Sequence, residues 1–314
     1  MKLATTTEDF GNYFKDFSTN LQDIKKCLEL FTETGFKYLD YSFYVDNRPD
    51  SLLLSDGWEE TFKQVRAHAD SLGLKFVQAH SPGGNPVDID SPHYNNLLQS
   101  TIRSIKACKI LGIDNIVVHA GYKENASKQE IFQLSKNFYS LLFPAMEETG
   151  VMVLTENGAT ANLPDGYFVF GTGEVISEFI DFIDHPLMGV CWDTGHANMM
   201  PNGQYDNIIA LGDKLKAVHI ADNLGEKDNH FAPYFGTLNM DEVMNALFDI
   251  NFKGSFTLES TRLMIRANDW PAPRNKWHRD TRLYTVPLEL KVEAEKLLYK
   301  IGKHILKSYN CFED

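Results

Sequence analysis

The chain has 314 residues, 43% of them hydrophobic and 23% charged, which suits a globular protein with a large core. Its net charge of −13 argues against a polyanionic partner such as DNA or an anionic membrane. Cys27, Cys108, Cys191 and Cys311 form no C-x-x-C pair, which excludes a zinc ribbon or disulfide framework and suits a reducing cytoplasm. Met1 to Thr6 runs into polar and acidic residues with no apolar signal core, and no apolar run reaches the ~18 residues of a membrane span. A cytoplasmic location is the expectation.

Short β-branched, apolar runs recur along the chain and predict eight strands. They are Lys2 to Thr5, Tyr38 to Tyr41, Phe76 to His80, Asn115 to His119, Val151 to Glu156, Met188 to Asp193, Leu215 to Ile220 and Ser255 to Glu259. Continuous rather than alternating hydrophobicity suits parallel strands buried on both faces. Amphipathic stretches between them predict helices, among them Leu98 to Leu111, Glu130 to Thr149 and Met240 to Phe248. Gly35, Gly73, Gly112 and Gly150 stand where a helix closes before the next strand. The strand–helix unit recurs at about 35–40 residues, with one shorter unit, as right-handed βαβ crossovers require. Eight units predict an α/β fold, a closed (β/α)8 TIM barrel over residues 1–260. A loop and helix (Leu288 to Lys307) over 261–314 form a C-terminal extension packed on it. An open doubly wound sheet is disfavoured because no Gly-rich phosphate loop follows the first strand.

Active sites of such barrels lie at the C-terminal strand ends. Strands three to eight end in His80, His119, Glu156, Asp193, His219 and Glu259 in unbroken succession. His196 follows in Asp193-Thr194-Gly195-His196, and Asp228 and His230 follow in Asp228-Asn229-His230. One histidine at a strand end is ordinarily a structural hydrogen-bonder. Five of the ten histidines fall at strand ends or just after them, whereas His68, His93, His185, His278 and His304 take no role. Carboxylates grouped there repel unless a cation neutralises them, so a metal site is expected. Glu156, Asp193, His219 and Glu259 form an oxygen-rich set that suits Mn²⁺, Mg²⁺ or Co²⁺. His80, His119, His196 and His230 add nitrogen donors that favour Zn²⁺ or a multinuclear site. Gly195 is expected to turn the chain sharply and aim His196 into the mouth.

These residues resemble the xylose isomerase-like barrels, which include sugar isomerases, ketose 3-epimerases, inosose dehydratases and endonuclease IV-type abasic-site endonucleases. The similarity is greatest to the sugar phosphate isomerase/epimerase group. It is carried by Ala79-His80-Ser81-Pro82, Val118-His119-Ala120-Gly121, Thr155-Glu156-Asn157, Cys191-Trp192-Asp193-Thr194-Gly195-His196, the stretch from Val218-His219-Ile220-Ala221-Asp222-Asn223 to Gly236, and Thr257-Leu258-Glu259. The resemblance implies one to three divalent ions. Glu156, Asp193, His219 and Glu259 would be the ligands, with Glu156 and Glu259 also the acid/base pair on the two faces of a carbohydrate. His196 would orient the substrate carbonyl. The endonucleases use nine metal-binding positions, and the chain has a candidate for each: His80, His119, Glu156, Asp193, His196, His219, Asp228, His230 and Glu259. Against that reading, no DNA-penetrating loop pattern follows His80, and the spacing from His219 to Asp228 is short. The family also suggests a homo-oligomer formed through helices near the barrel mouth.

The leading expectation is therefore a metal-dependent isomerase or epimerase of a sugar, sugar phosphate or polyol. The alternatives are a zinc phosphodiesterase of the abasic-site type and a metal-binding barrel without catalysis. Arg262 to Arg282 (Arg262, Arg266, Arg274, Lys276, Arg279 and Arg282 with Trp270 and Trp277) could grip phosphate, but a loop packed on the mouth or on a second copy is the plainer reading. No strand-end lysine stands ready for Schiff-base chemistry, and no G-x-S-x-G elbow is present.

Overall fold

Eight parallel strands close on themselves in chain order, β1 pairing with both β2 and β8. They are β1 (Leu3–Thr6), β2 (Tyr38–Ser42), β3 (Lys75–His80), β4 (Asn115–Val117), β5 (Met152–Glu156), β6 (Met188–Asp193), β7 (Leu215–Ile220) and β8 (Phe256–Leu258). The structure is a computed structural model and describes residues 1–11, 13–14, 17–159, 169–201, 203–265 and 274–314. The expected closed barrel is thus present. Two strands end sooner than the sequence suggested: His119 lies two residues beyond β4, and Glu259 directly follows β8.

Helices cover the outside: α1 (Glu8–Gly11), α2 (Leu21–Phe31), α3 (Trp58–Ser71), α4 (Tyr94–Leu111), α5 (Lys128–Ser140), α6 (Phe143–Thr149), α7 (Gly173–Ile183), α8 (Thr194–Asn198), α9 (Gln204–Leu211), α10 (Met240–Asp249) and α11 (Leu288–Ser308). Side-chain oxygens of Asn20, Ser127, Thr172 and Asn239 accept the first free amide protons of α2, α5, α7 and α10. Gly35, Gly73, Gly112 and Gly150 all take the left-handed backbone that ends a helix. The single helix expected over 130–149 is two helices, α5 and α6. Pro144 lacks an amide proton and sits in the first turn of α6, so the helical ladder is cut at Leu141–Leu142. α11 packs where β8 meets β1. A side chain at Gly302 would come within 3.0 Å of Leu3 and Leu258, so its absence lets the helix approach.

Phenylalanines dominate the layer between strands and helices, including Phe31, Phe62, Phe76, Phe132, Phe179 and Phe256. Inside the barrel, Val117, Leu154, Cys191 and Ala217 form a separate buried apolar layer. Side chains in a strand point inward at every second residue. Two residues on from that layer stand His119, Glu156, Asp193 and His219. The apolar plug therefore floors a polar layer at the strand ends. Register reinforces this, with Glu156 beside Cys191 and Asp193 beside His219. The four cysteines are free thiols, three of them buried. Among the described residues, no helix is long and apolar enough to cross a membrane.

Candidate metal centre

All nine expected residues converge on the C-terminal mouth, and their donor atoms form three groups, two of which share Glu156. Glu156, Asp193, His219 and Glu259 bring one atom each within 4.8 Å of one another, as do His80, His119 and Glu156, and as do His196, Asp228 and His230. A cavity of about 380 Å³ opens above them, with Tyr44, Glu8 and Arg262 on its wall. Asp193 and His219 lie beneath that wall and are fully buried.

Glu156 is the hub. Its Oε1 meets His219 Nδ1 at 2.6 Å, and its Oε2 meets His119 Nε2 at 2.8 Å and His80 Nε2 at 3.9 Å. Burial pushes its carboxyl up, but His219, His119 and His80 outweigh burial and hold it well below the usual carboxylate range. Glu259 behaves oppositely. Its Oε2 is 3.4 Å from His219 Nδ1 and 3.8 Å from His230 Nδ1, too far for strong bonds. Burial dominates, with Glu156 and Asp193 adding repulsion, and its pKa rises to about 7.

Three imidazoles are oriented by backbone carbonyls. Nδ1 of His80 lies 2.9 Å from Ser81 O, that of His196 2.8 Å from Asn157 O, and that of His230 3.0 Å from Glu259 O. A carbonyl only accepts, so each Nδ1 donates and each Nε2 faces the other groups of the site. His196 Nε2 and His230 Nε2 both aim at Asp228 Oδ2, at 3.2 and 3.1 Å. Neutral rings would set lone pairs against a carboxylate there. Protons relieve this. Burial opposes charge on His230 and His80, but Asp228 outweighs it for the first and Glu156 for the second, raising them to about 10 and about 9. A cation would relieve it equally, by replacing the protons.

The donor set fits a divalent cation. Asp193 Oδ2 and Asp228 Oδ1 are buried oxygens with no hydrogen-bond partner among the described residues. A buried carboxylate oxygen with nothing to accept costs ~1–3 kcal/mol or more, a cost that a coordinated cation removes. His230 also holds a left-handed backbone, φ 47°, of the strained kind that clusters at ligand-binding sites.

Gly195 does not turn the chain as expected, since its φ is not among the positive values. It is the second residue of α8, where Asp193 Oδ1 accepts the His196 amide at 2.6 Å and so points the following residues. Glycine serves close packing there: a Cβ would sit 3.1 Å from Ala221 Cβ and 3.2 Å from Asp193 Oδ1. Supporting residues went unread in the sequence. Asn157 locks β5 to β6, donating to Asp193 O at 2.9 Å and accepting from Asp193 N at 2.6 Å. Gln78 and Asp40 flank His219 from β3 and β2. Their signal was a polar residue inside an apolar strand, two before His80 for Gln78. In the basic segment, Arg262 lines the cavity, Arg274 donates to Tyr284 O and Ile265 O, and Arg282 pairs with Asp280. Arg266 and Trp270 lie outside the described residues.

Comparison with known proteins gives a consistent fold and mixed activities. An uncharacterised protein of Sinorhizobium fredii, y4fM, is 23% identical over 267 residues, 76% of this chain and 81% of its own length. The L-ribulose 3-epimerase of a Methylomonas species is 31% identical over 38% of this chain and 42% of its own. A probable endonuclease 4 of Methanoculleus marisnigri is 27% identical over 51% and 60%. The D-psicose 3-epimerase of Clostridium cellulolyticum superposes with a TM-score of 0.72 at 17% identity, covering 98% of this chain and 99% of that one. A zinc-bound IOLI protein does so with 0.69 at 18% identity, covering 98% and 99%. The model of the xylose isomerase-like TIM barrel family matches residues 28–282, so the chain belongs to that family.

Proposed function

We propose that the chain is a metal-dependent isomerase or epimerase of a sugar, sugar phosphate or related polyol. One observation carries the reading: two glutamates reach the same nitrogen, His219 Nδ1, from β5 and from the end of β8, with their protonation pushed apart. Glu156, Asp193, His219 and Glu259 would hold the divalent cation, which would supply polarisation of a substrate carbonyl and so acidify the neighbouring C–H. Glu156, held ionised by His219 and His119, would take a proton at its carboxylate, and the second glutamate, Glu259, would deliver one. On return the roles reverse. His196 orients the carbonyl oxygen from the cavity wall, and His119, whose side chain is 37% exposed, meets substrate at the rim. The likeness in sequence to an L-ribulose 3-epimerase and in fold to a D-psicose 3-epimerase supports this.

The test is solvent-deuterium incorporation into ketoses and ketose phosphates by protein reloaded with Mn²⁺ or Co²⁺. Glu156→Gln and Glu259→Gln should each slow exchange by ~10²–10⁴-fold. Absence of exchange into every ketose, in a protein proven to hold the ion, would sink the proposal.

A second reading, a zinc phosphodiesterase, is favoured by the two further donor groups, His80–His119–Glu156 and His196–Asp228–His230. Metal content separates the two. About one Mn²⁺, Co²⁺ or Mg²⁺ per chain supports the epimerase. Two or three Zn²⁺ support the phosphodiesterase, with cleavage of abasic duplex DNA as its assay.

A further inference from the structure

We infer that Asp40 on β2 is the positioning residue that turns the Nδ1 lone pair of His219 toward Glu156, Asp193 and Glu259; the inference rests on the metal-site reading above. The two ring nitrogens of His219 face different chemistry. Nδ1 lies 2.6 Å from Glu156 Oε1 and 3.4 Å from Glu259 Oε2, on the ligand side. Nε2 lies 3.3 Å from Asp40 Oδ2 and 2.8 Å from Gln78 Nε2, on the other.

A neutral imidazole carries one N–H. For Nδ1 to offer a lone pair, the hydrogen must sit on Nε2, and a buried N–H needs an acceptor. Asp40 Oδ2 is that acceptor. Gln78 presents its amide nitrogen, a pure donor that also bonds Asp40 Oδ2 at 2.8 Å, so without an ion Nε2 accepts from Gln78 and Nδ1–H donates to Glu156 Oε1. When an ion takes the Nδ1 lone pair, the hydrogen moves to Nε2, the Gln78 amide has to turn aside, and Asp40 Oδ2 is the acceptor left beside the ring. The Gln78 carbonyl is turned away, 3.5 Å from Thr257 Oγ1. Register explains the meeting: Asp40 pairs with Gln78 across β2 and β3, just past a shift between Leu39 and Asp40. Asp40 and His219 are each 1% exposed, so Asp40 is shielded from substrate and acts only through the ring. β2 supplies none of the nine candidate ligands. The other oxygen of its buried acid, Asp40 Oδ1, has no hydrogen-bond partner among the described residues, which leaves Oδ2 as the atom through which Asp40 acts. A carboxylate behind a ligating histidine fixes its tautomer and orientation, and losing such a partner typically costs 10–100-fold in metal affinity.

The experiment uses the full chain, labelled with ¹⁵N in its histidine rings, stripped of metal and titrated with Zn²⁺ alone. Ring ¹⁵N shifts report which nitrogen of His219 carries hydrogen, and a competing chelator reports affinity. The expected result is Nε2–H in the Zn²⁺-loaded wild type and ~10–100-fold weaker Zn²⁺ binding by Asp40→Asn. Asp46→Asn, which alters a buried acid outside the site, should bind like wild type. Hydrogen on Nδ1 in the loaded wild type, or wild-type affinity in Asp40→Asn, overturns the inference and leaves the metal site standing. A wild type that binds no Zn²⁺ overturns both. If Asp40→Asn does not fold, the tautomer of the loaded wild type decides alone.

Discussion

The carboxylate of Glu259 is the place where a bound cation should reverse the sign of a mutation. Its side chain is 13% exposed, and its neighbours His219 and His230 stand 3.4 and 3.8 Å away. Its pKa rises from 4.5 to about 7 in the metal-free fold, chiefly through burial. Such a group contributes stability that is complete below the unfolded value and is lost as pH rises through the folded value. At ~1.4 kcal/mol per pH unit, the loss between pH 4.5 and 8 is about 3 kcal/mol. Gln cannot ionise, so Glu259→Gln escapes it. In EDTA, the melting temperature of the variant should gain on wild type by about 5 °C between pH 5 and pH 8, at ~2 °C per kcal/mol for a chain of this size. Saturating Mn²⁺ should invert the order at pH 8, because wild type gains a charged ligand there and the variant does not. Differential scanning fluorimetry over four conditions, two pH values with and without Mn²⁺, reads the whole effect. A variant whose offset from wild type is the same in all four would refute both the burial argument and the metal assignment.

His80 and His230, raised to about 9 and about 10, hold protons that a ligand must surrender. Their stabilising contribution is full below about 6.5 and is lost as pH rises through those values, so the gain in melting temperature on adding Zn²⁺ should be larger at pH 8.5 than at pH 6. Asn157→Ala removes two buried hydrogen bonds to the Asp193 backbone and should cost roughly 2–4 kcal/mol in urea unfolding; a cost below ~0.5 would show that the strand ends are held otherwise. Gly302→Val drives a side chain into Leu3 and Leu258 and should cost about 1–3 kcal/mol, with catalysis by the surviving folded protein unchanged.

Much of the fold was legible because the signal is local. Buried parallel strands need continuous apolar runs, helices between them need one apolar face, and both repeat in chain order. The ligand candidates were legible for a related reason: a barrel places every strand end on one face, so a His, Asp or Glu closing six successive strands has nowhere else to point. Where the reading failed, a short-range competitor won. Pro144 cut a helix that periodicity joined, and Asp193 capping α8 did the work assigned to a turn at Gly195.

What composition and spacing determined by themselves was the barrel and the company of acids and imidazoles at its mouth. Only the tertiary structure decided how those groups divide their labour. Glu156 and Glu259 are the same residue type at equivalent strand ends, yet one is surrounded by imidazoles and held ionised while the other is buried with distant partners and titrates near neutrality. Asp40 and Gln78 gain meaning only because β2 and β3 carry them behind His219, far away in sequence. Proton affinity and tautomer depend on distance and burial in three dimensions, and neither is a property of the residue alone.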